Sequence, residues 1–309
     1  MDNIASSVPR NIGIGIVAPS GYAPDPMVVD RAVTRLRAAG ARVTLFCNPA
    51  EKFERFGASD QERVAQLHTA ASDPSIDIVI ALRGGYGLSR ILPMLDFQLL
   101  AQSGKLFVGH SDFTAFQMAL LAATNAVSFA GPMICDDFGR DLPSLFTLDH
   151  FWRCLTSDNF SVGSDHPCST PLQVTGPLWG GNLAMLSHLV GSPYLPDVDG
   201  GILFLEDINE HPFRLERMLL QLLHAGVLQK QKAIVLGDFS GGRVGAYDNG
   251  FDVASVIAYL RGRVSVPVLT GLQFGHLVDK VTLPVGALAT LSADMQGWLL
   301  RVEGYPHLR

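Results

Sequence analysis

The chain has 309 residues, 48% hydrophobic and 17% charged, which is long enough for two domains and a well-buried core. A formal net charge of −6, with no basic run and no Arg/Lys stripe among aromatics, argues against a nucleic-acid partner. Mean hydropathy is +0.24, yet no stretch reaches the roughly 18 uninterrupted apolar residues of a membrane span, so no membrane partner is expected.

The opening "MDNIASSVPRNIGIGIVAPSG" lacks a charged segment followed by a long apolar one and a small-residue cleavage site, so no secretory leader is expected. Cys47, Cys135, Cys154 and Cys168 are scattered with no CxxC pair. That argues against zinc and redox motifs and for a reduced, cytoplasmic setting. "NIGIGIVAP" reads as a first strand. "DPMVVDRAVTRLRAAG" reads as a helix with Asp25 as N-cap, Pro26 at the first position, Val29, Val33 and Leu36 on one face, and Gly40 as the stop. "ARVTLF" is a strand, and "SDQERVAQLHTAASD" a helix whose Ser59 and Glu62 have capping-box spacing. "IDIVIALRGG" is apolar almost throughout, as buried parallel strands require. "KLFVGHS" and "AVSFAGP" are two further strands, with the helix "FTAFQMALLAAT" between them. Strands alternating with helices predict an open parallel α/β sheet covered on both faces.

Over 156–171 the pattern lapses into the polar "TSDNFSVGSDHPCSTP", and the domain boundary is assigned there. Residues 1–155 are then a first domain, 156–171 a linker, and 172–309 a second, more β-rich domain. The second half reads as the strand "GILFLE", the helix "HPFRLERMLLQLLHAG", the strand "KAIVLGDF", the helix "DVASVIAYLRGR", and then β-rich pieces: "PVLTGLQFGH", "KVTLPVGALATLSA" and "GWLLRVE".

Ligands of open parallel sheets bind beyond the carboxyl ends of the strands. Three such ends matter: "APSG", "LRGGYG" and "GHSDFT". In the third, Ser111 stands where a buried strand becomes a helix. A serine hydroxyl is a nucleophile only when a base takes its proton. A sharp strand-to-helix turn would expose it and leave the following N–H free for an oxyanion. Phe113 stands where a G-x-S-x-G elbow would have its second glycine, so the alternative that Ser111 or Asp112 simply caps the helix stays open. Gly84-Gly85 lets bare backbone approach a ligand, or makes a tight turn without one. Glu206 and Asp207 follow a hydrophobic strand directly, so one carboxylate could orient a histidine. His276 follows Gly275 at the end of a predicted strand, and histidine is the usual general base near neutral pH. His110 adjoins the serine in sequence, so its side chain is expected on the opposite side.

The set "LRGGYG … GHSDFT … GPLWGGNL … FLEDINE … FGH", together with the opening "IGIVAPSG", resembles the LD-carboxypeptidases, or muramoyltetrapeptide carboxypeptidases, from about residue 10 to the C-terminus. The resemblance implies a flavodoxin-like first domain carrying the nucleophile and a smaller β-rich α/β second domain, with the site in the cleft between them. It assigns Ser111 as nucleophile, Glu206 as orienting carboxylate and His276 as base. The N–H groups of Asp112 and Gly85 are the candidate oxyanion donors. It implies removal of terminal D-alanine from the tetrapeptide stem of peptidoglycan fragments, free or as muropeptides, by a metal-free and cofactor-free cytosolic enzyme that is a homodimer. His110 departs from the tyrosine or phenylalanine usual before the serine. Arg83, beside Gly84, is a candidate for a substrate carboxylate, or a solvated strand-end charge. Trp179 is a candidate for lining the cleft, or core packing.

Two rivals stand beside this reading. The microcin immunity proteins are similar in fold and nucleophile but cleave peptidyl or aminoacyl adenylates and carry an extra aromatic loop. Here the 156–171 segment has Phe160 as its only Phe, Tyr or Trp. A non-catalytic ligand-binding protein would use "LRGGYG" and "APSG" as phosphate loops, but no G-x-G-x-x-G or P-loop pattern supports it.

Overall fold

In the computed structural model, which describes residues 11–308, the first half alternates strand and helix as the periodicity requires. Residues 1–10 of the opening that is expected to carry no leader lie outside the described residues. β1 (Gly13–Val17) leads into α1 (Pro26–Ala38), whose Asp25 side chain accepts from the Met27 N–H as an N-cap. β2 (Arg42–Leu45) is followed by α2 (Asp60–Ser72), started by a complete Ser59/Glu62 capping box. Such a cap contributes about 1 kcal/mol. Then come β3 (Ile78–Ala81), the short helices α3 (Leu88–Ile91) and α4 (Phe97–Gln102), β4 (Leu106–Gly109), α5 (Phe113–Thr124) and β5 (Ser128–Ala130). These five strands lie parallel in the order β2-β1-β3-β4-β5, a flavodoxin-like arrangement with a switch point at β1/β3.

After a π-helical turn (Ile134–Phe138), α6 (Leu145–Leu155) leads to β6 (Asn159–Ser164), β7 (Leu172–Asn182), α7 (Leu183–Leu189), β8 (Ile202–Glu206), α8 (Pro212–His224), β9 (Ala233–Leu236) and α9 (Val253–Arg261). β10 (Val268–Leu269), β11 (Leu283–Val285), β12 (Leu288–Asp294) and β13 (Gly297–Glu303) complete the chain. The second sheet runs β10-β9-β8-β7-β12-β13-β6. β7 is its pivot: residues 172–177 pair antiparallel with β12, and 178–182 pair parallel with β8.

Two segments depart from the sequence expectations. The segment read as a linker holds β6, an edge strand paired with β13. Only alternate residues of it are buried, Phe160 and Val162 among them, so its composition is polar. "KVTLPVGALATLSA" is two strands in two different sheets. β11 returns to the first sheet and pairs antiparallel with β5, so residues 283–285 belong structurally with the sheet that leads to Ser111. Among the described residues, no helix is long and apolar enough to cross a membrane.

Candidate active site

β4 ends at Gly109 and α5 begins at Phe113, so three residues turn the chain. Ser111 takes φ +61° there, a left-handed conformation that costs a residue with a Cβ roughly 1–2 kcal/mol. The turn is held by the Phe113 N–H donating to the His110 carbonyl and the Thr114 N–H to the Ser111 carbonyl. No side chain caps α5, which removes the plain capping role left open for Ser111 and Asp112. The buried Asp112 carboxylate instead accepts from Ser20 Oγ at 2.6 Å and from the Leu88 N–H at 3.0 Å. Burial pushes that carboxyl above its ordinary range, against the pull of those two bonds. Ser20 comes from "APSG" and Leu88 follows "LRGGYG", so Asp112 knots the three strand ends together.

Gly84 forms the floor under the serine. A Cβ there would lie 2.7 Å from Ser111 Cβ and 2.8 Å from its Oγ. The Gly84 carbonyl accepts from the Gly21 N–H, and Gly85 follows at φ +110°. Among the described residues the N–H groups of Asp112 and Gly85 donate to no protein acceptor, which leaves both available to an oxyanion. Arg83 is half-buried; its guanidinium donates to the Tyr22 carbonyl at 3.4 Å. Its buried Nε lacks a partner, and no carboxylate pairs with it among the described residues.

The carboxylate and histidine come from the second sheet. Glu206, the last residue of β8, is fully buried. Its Oε2 accepts from His276 Nδ1–H at 2.8 Å, and its Oε1 from Asn182 Nδ2 at 3.2 Å. Asn182 also reaches Asp207 Oδ1, while Asp207 Oδ2 accepts from the Ala184 N–H. Burial raises the Asp207 carboxyl to about 6 despite these bonds. His276 does not end a strand as the sequence predicts. It lies in the loop between β10 and β11, because the run after Leu269 turns away from the sheet. Gly275, at φ +138°, permits the approach: a Cβ there would sit 3.2 Å from Glu206 Oε2. Burial of the imidazole opposes its protonation, but the hydrogen bond and charge of Glu206 outweigh that and hold His276 above its ordinary value of 6.5. Among the described residues the one side-chain hydrogen bond of His276 goes to Glu206, and none joins it to Ser111.

Two expectations are corrected. His110 does not point away: its ring stands edge-on to His276, with centroids 5.2 Å apart, and its Nδ1 bonds the Gly131 carbonyl at 3.0 Å. The strand ends at Gly109, before His110, so the turn rather than strand alternation sets its direction. Burial, with the Lys280 and His276 charges adding, pushes its imidazole well below the ordinary value, so its protonated form is disfavoured and it is a poor proton acceptor. Trp179 does not line the cleft. It is fully buried in β7, its indole N–H donating to Gln231 Oε1 at 2.9 Å.

Sequence reasoning missed Asn182 and Ser20. Both lie in motifs singled out above, "GPLWGGNL" and "APSG", but a neutral amide and a second serine carry no signal until their partners are known. Among the described residues no group of three or more His, Cys, Asp or Glu is placed to hold a metal ion.

Residues 14–131 match the LD-carboxypeptidase N-terminal domain, and residues 175–291 the LD-carboxypeptidase C-terminal domain. The chain is 30% identical over 282 residues to a probable murein peptide carboxypeptidase of Bacillus subtilis, covering 90% of this chain and 88% of that one. A crystal structure of muramoyltetrapeptide carboxypeptidase from Oxalobacter formigenes superposes with a TM-score of 0.91 at 52% identity, covering 95% of this chain and 99% of that one. A microcin C7 self-immunity protein in complex with aspartyl sulfamoyl adenosine superposes with a TM-score of 0.86 over 97% and 98% of the two chains. At 22% identity that likeness is one of fold alone.

Proposed function

This chain belongs to the LD-carboxypeptidase family of serine peptidases, and we propose that it removes the terminal D-alanine from the tetrapeptide stem of peptidoglycan fragments through an acyl-enzyme on Ser111. The observation that carries the reading is the His276–Glu206 pair. The carboxylate engages Nδ1 and leaves Nε2 as the free ring nitrogen, on a ring that stands against His110, the residue before Ser111.

His276 Nε2 takes the Ser111 hydroxyl proton as Oγ bonds to the carbonyl carbon of the scissile amide. Glu206 holds the imidazole in the required tautomer and favours the imidazolium that forms. The N–H groups of Asp112 and Gly85 bind the carbonyl oxygen as it gains charge. The C–N bond then breaks, and the departing D-alanine nitrogen takes the proton from His276. Water, deprotonated by the same imidazole, attacks the ester; the peptide leaves as a carboxylate and Ser111 recovers its proton. Gly84 gives the substrate backbone room, and Arg83, without a carboxylate of its own, pairs with a substrate carboxylate. The reading includes a cytosolic role in murein recycling, on free or muropeptide stems, as a homodimer, which sedimentation would test.

The deciding experiment is D-alanine release from an L,D-tetrapeptide stem by the wild type and by Ser111→Ala, with a chelator present. Release that Ser111→Ala abolishes supports the reading. Absence of release by the wild type, with cleavage of an aminoacyl sulfamoyl-adenosine, would move the assignment to adenylate hydrolysis. Against that alternative, Phe160 is buried in β6 and unavailable to stack on a nucleobase.

A further inference from the structure

The loop that carries His276 leaves the second sheet after β10 and, within a few residues of the histidine, is tied to the nucleophile's domain. The Lys280 N–H donates to Thr147 Oγ1 at 2.9 Å, and that hydroxyl donates to the Val278 carbonyl at 2.9 Å. Ser144 Oγ donates to Asp279 Oδ1. Three residues beyond Lys280 the chain becomes β11 in the first sheet. At the centre of this junction the Lys280 ammonium pairs with Asp137, both side chains almost wholly buried. The other oxygen of Asp137 accepts from the Met133 N–H at 2.8 Å, so the carboxylate is fixed from the nucleophile's side.

A buried ion pair is a poor way to gain stability, since desolvation offsets its attraction, and apolar side chains of similar volume often do as well. A lysine is rarely buried at all. Its position is therefore informative: it lies on the same loop as the general base and bridges the two domains that must meet for reaction. We propose that Lys280, held by Asp137, is a positioning residue for His276, docking the loop of the general base onto the domain that carries Ser111. This rests on the reading of His276 as the base.

The charged and titratable groups facing His276 come from four elements. Glu206 and Asp207 lie at the end of β8. Asp238, after β9, touches Gly275, and the neutral His110 comes from the end of β4. Lys280 is on the loop itself, with Asp137 behind it. Of these, the Lys280 ammonium is the group that opposes protonation of His276, while Glu206 and Asp207 favour it. Lys280→Met, which keeps the length and loses the charge, therefore raises the midpoint of His276.

The test is an NMR titration of 13Cε1-labelled histidines, with the His276 signal assigned by its loss in His276→Gln. This readout needs no substrate. A wild type that releases no D-alanine would sink the functional reading without touching the titration, whereas an unshifted midpoint would sink the proposal without touching that reading. The expected result for Lys280→Met is a higher His276 midpoint, an acid limb of kcat/KM moved the same way, and kcat lower by about tenfold or more with KM within about twofold. Thr147→Val, which cuts the uncharged tethers, should lower kcat without moving the midpoint. An unchanged midpoint, or wild-type kcat, in Lys280→Met would overturn the proposal. Should Lys280→Met fail to fold, Lys280→Met/Asp137→Leu, which replaces the pair by apolar side chains, is read by the same criteria.

Discussion

Asn182 and Glu206 are register partners on adjacent parallel strands, and the amide of the first donates to the carboxylate of the second at 3.2 Å. The same residue caps α7 through Oδ1, and its backbone N–H donates to Thr114 Oγ1 on α5, the helix after Ser111. One residue thus ties the Glu206 carboxylate, through its side chain, to the helix after Ser111, through its backbone. Asn182→Ala leaves two buried carboxylates short of a donor and α7 short of its cap. The expected loss of stability is about 2–4 kcal/mol, with kcat lowered about tenfold or more. Urea denaturation and D-alanine release check both.

Gly84→Ala puts a methyl group against the nucleophile, since the added carbon falls 2.8 Å from Ser111 Oγ. The serine must move, and a displacement of this size costs catalysis about 100-fold. Circular dichroism should stay native while D-alanine release falls. Near-normal release would mean that the Ser111 turn is more yielding than its geometry indicates.

The left-handed backbone at Ser111 separates two inactive variants by stability. Ser111→Ala keeps the Cβ in a conformation it disfavours, whereas Ser111→Gly removes it. The glycine variant is expected to be the more stable of the two by about 1 kcal/mol, measurable as a higher Tm with activity absent from both.

The pH profile follows from the Glu206–His276 pair. A base must be neutral, so kcat/KM falls as pH drops through the His276 midpoint, which lies above 6.5. Glu206→Gln removes the largest effect holding it up and leaves burial to dominate. The acid limb then moves to lower pH, and kcat drops by roughly 10³–10⁴. Because the folded value is raised, the pair stabilises the fold fully below the unfolded histidine value, and the contribution disappears as pH rises through the folded one. Glu206→Gln should therefore lose more stability at pH 5.5 than at pH 9, as urea midpoints at the two pH values will tell.

The alternation of strand and helix over the first half, the caps at Asp25 and Ser59, and the site motifs were legible in the chain. Each depends on neighbours a few residues apart: a period of two or near four, a cap and its N3 partner, a glycine beside a strand end. The edge strand β6 was not legible, because a strand with one solvated face is half polar and borrows its hydrogen bonds from β13. Nor was the split of "KVTLPVGALATLSA" between two sheets, since both strands have the same local pattern and differ only in partner.

Within the site, predicted strand-end positions and the resemblance to the LD-carboxypeptidases marked Ser111, Glu206 and His276 for chemistry. Tertiary packing decided everything that needs a long-range partner. It turned His110 toward His276, took Trp179 into the core, and gave Asn182 and Ser20 their roles. It also buried Lys280 against Asp137, 143 residues away in the chain. Backbone propensity is a local quantity, whereas a buried polar group takes its meaning from whichever distant atom satisfies it.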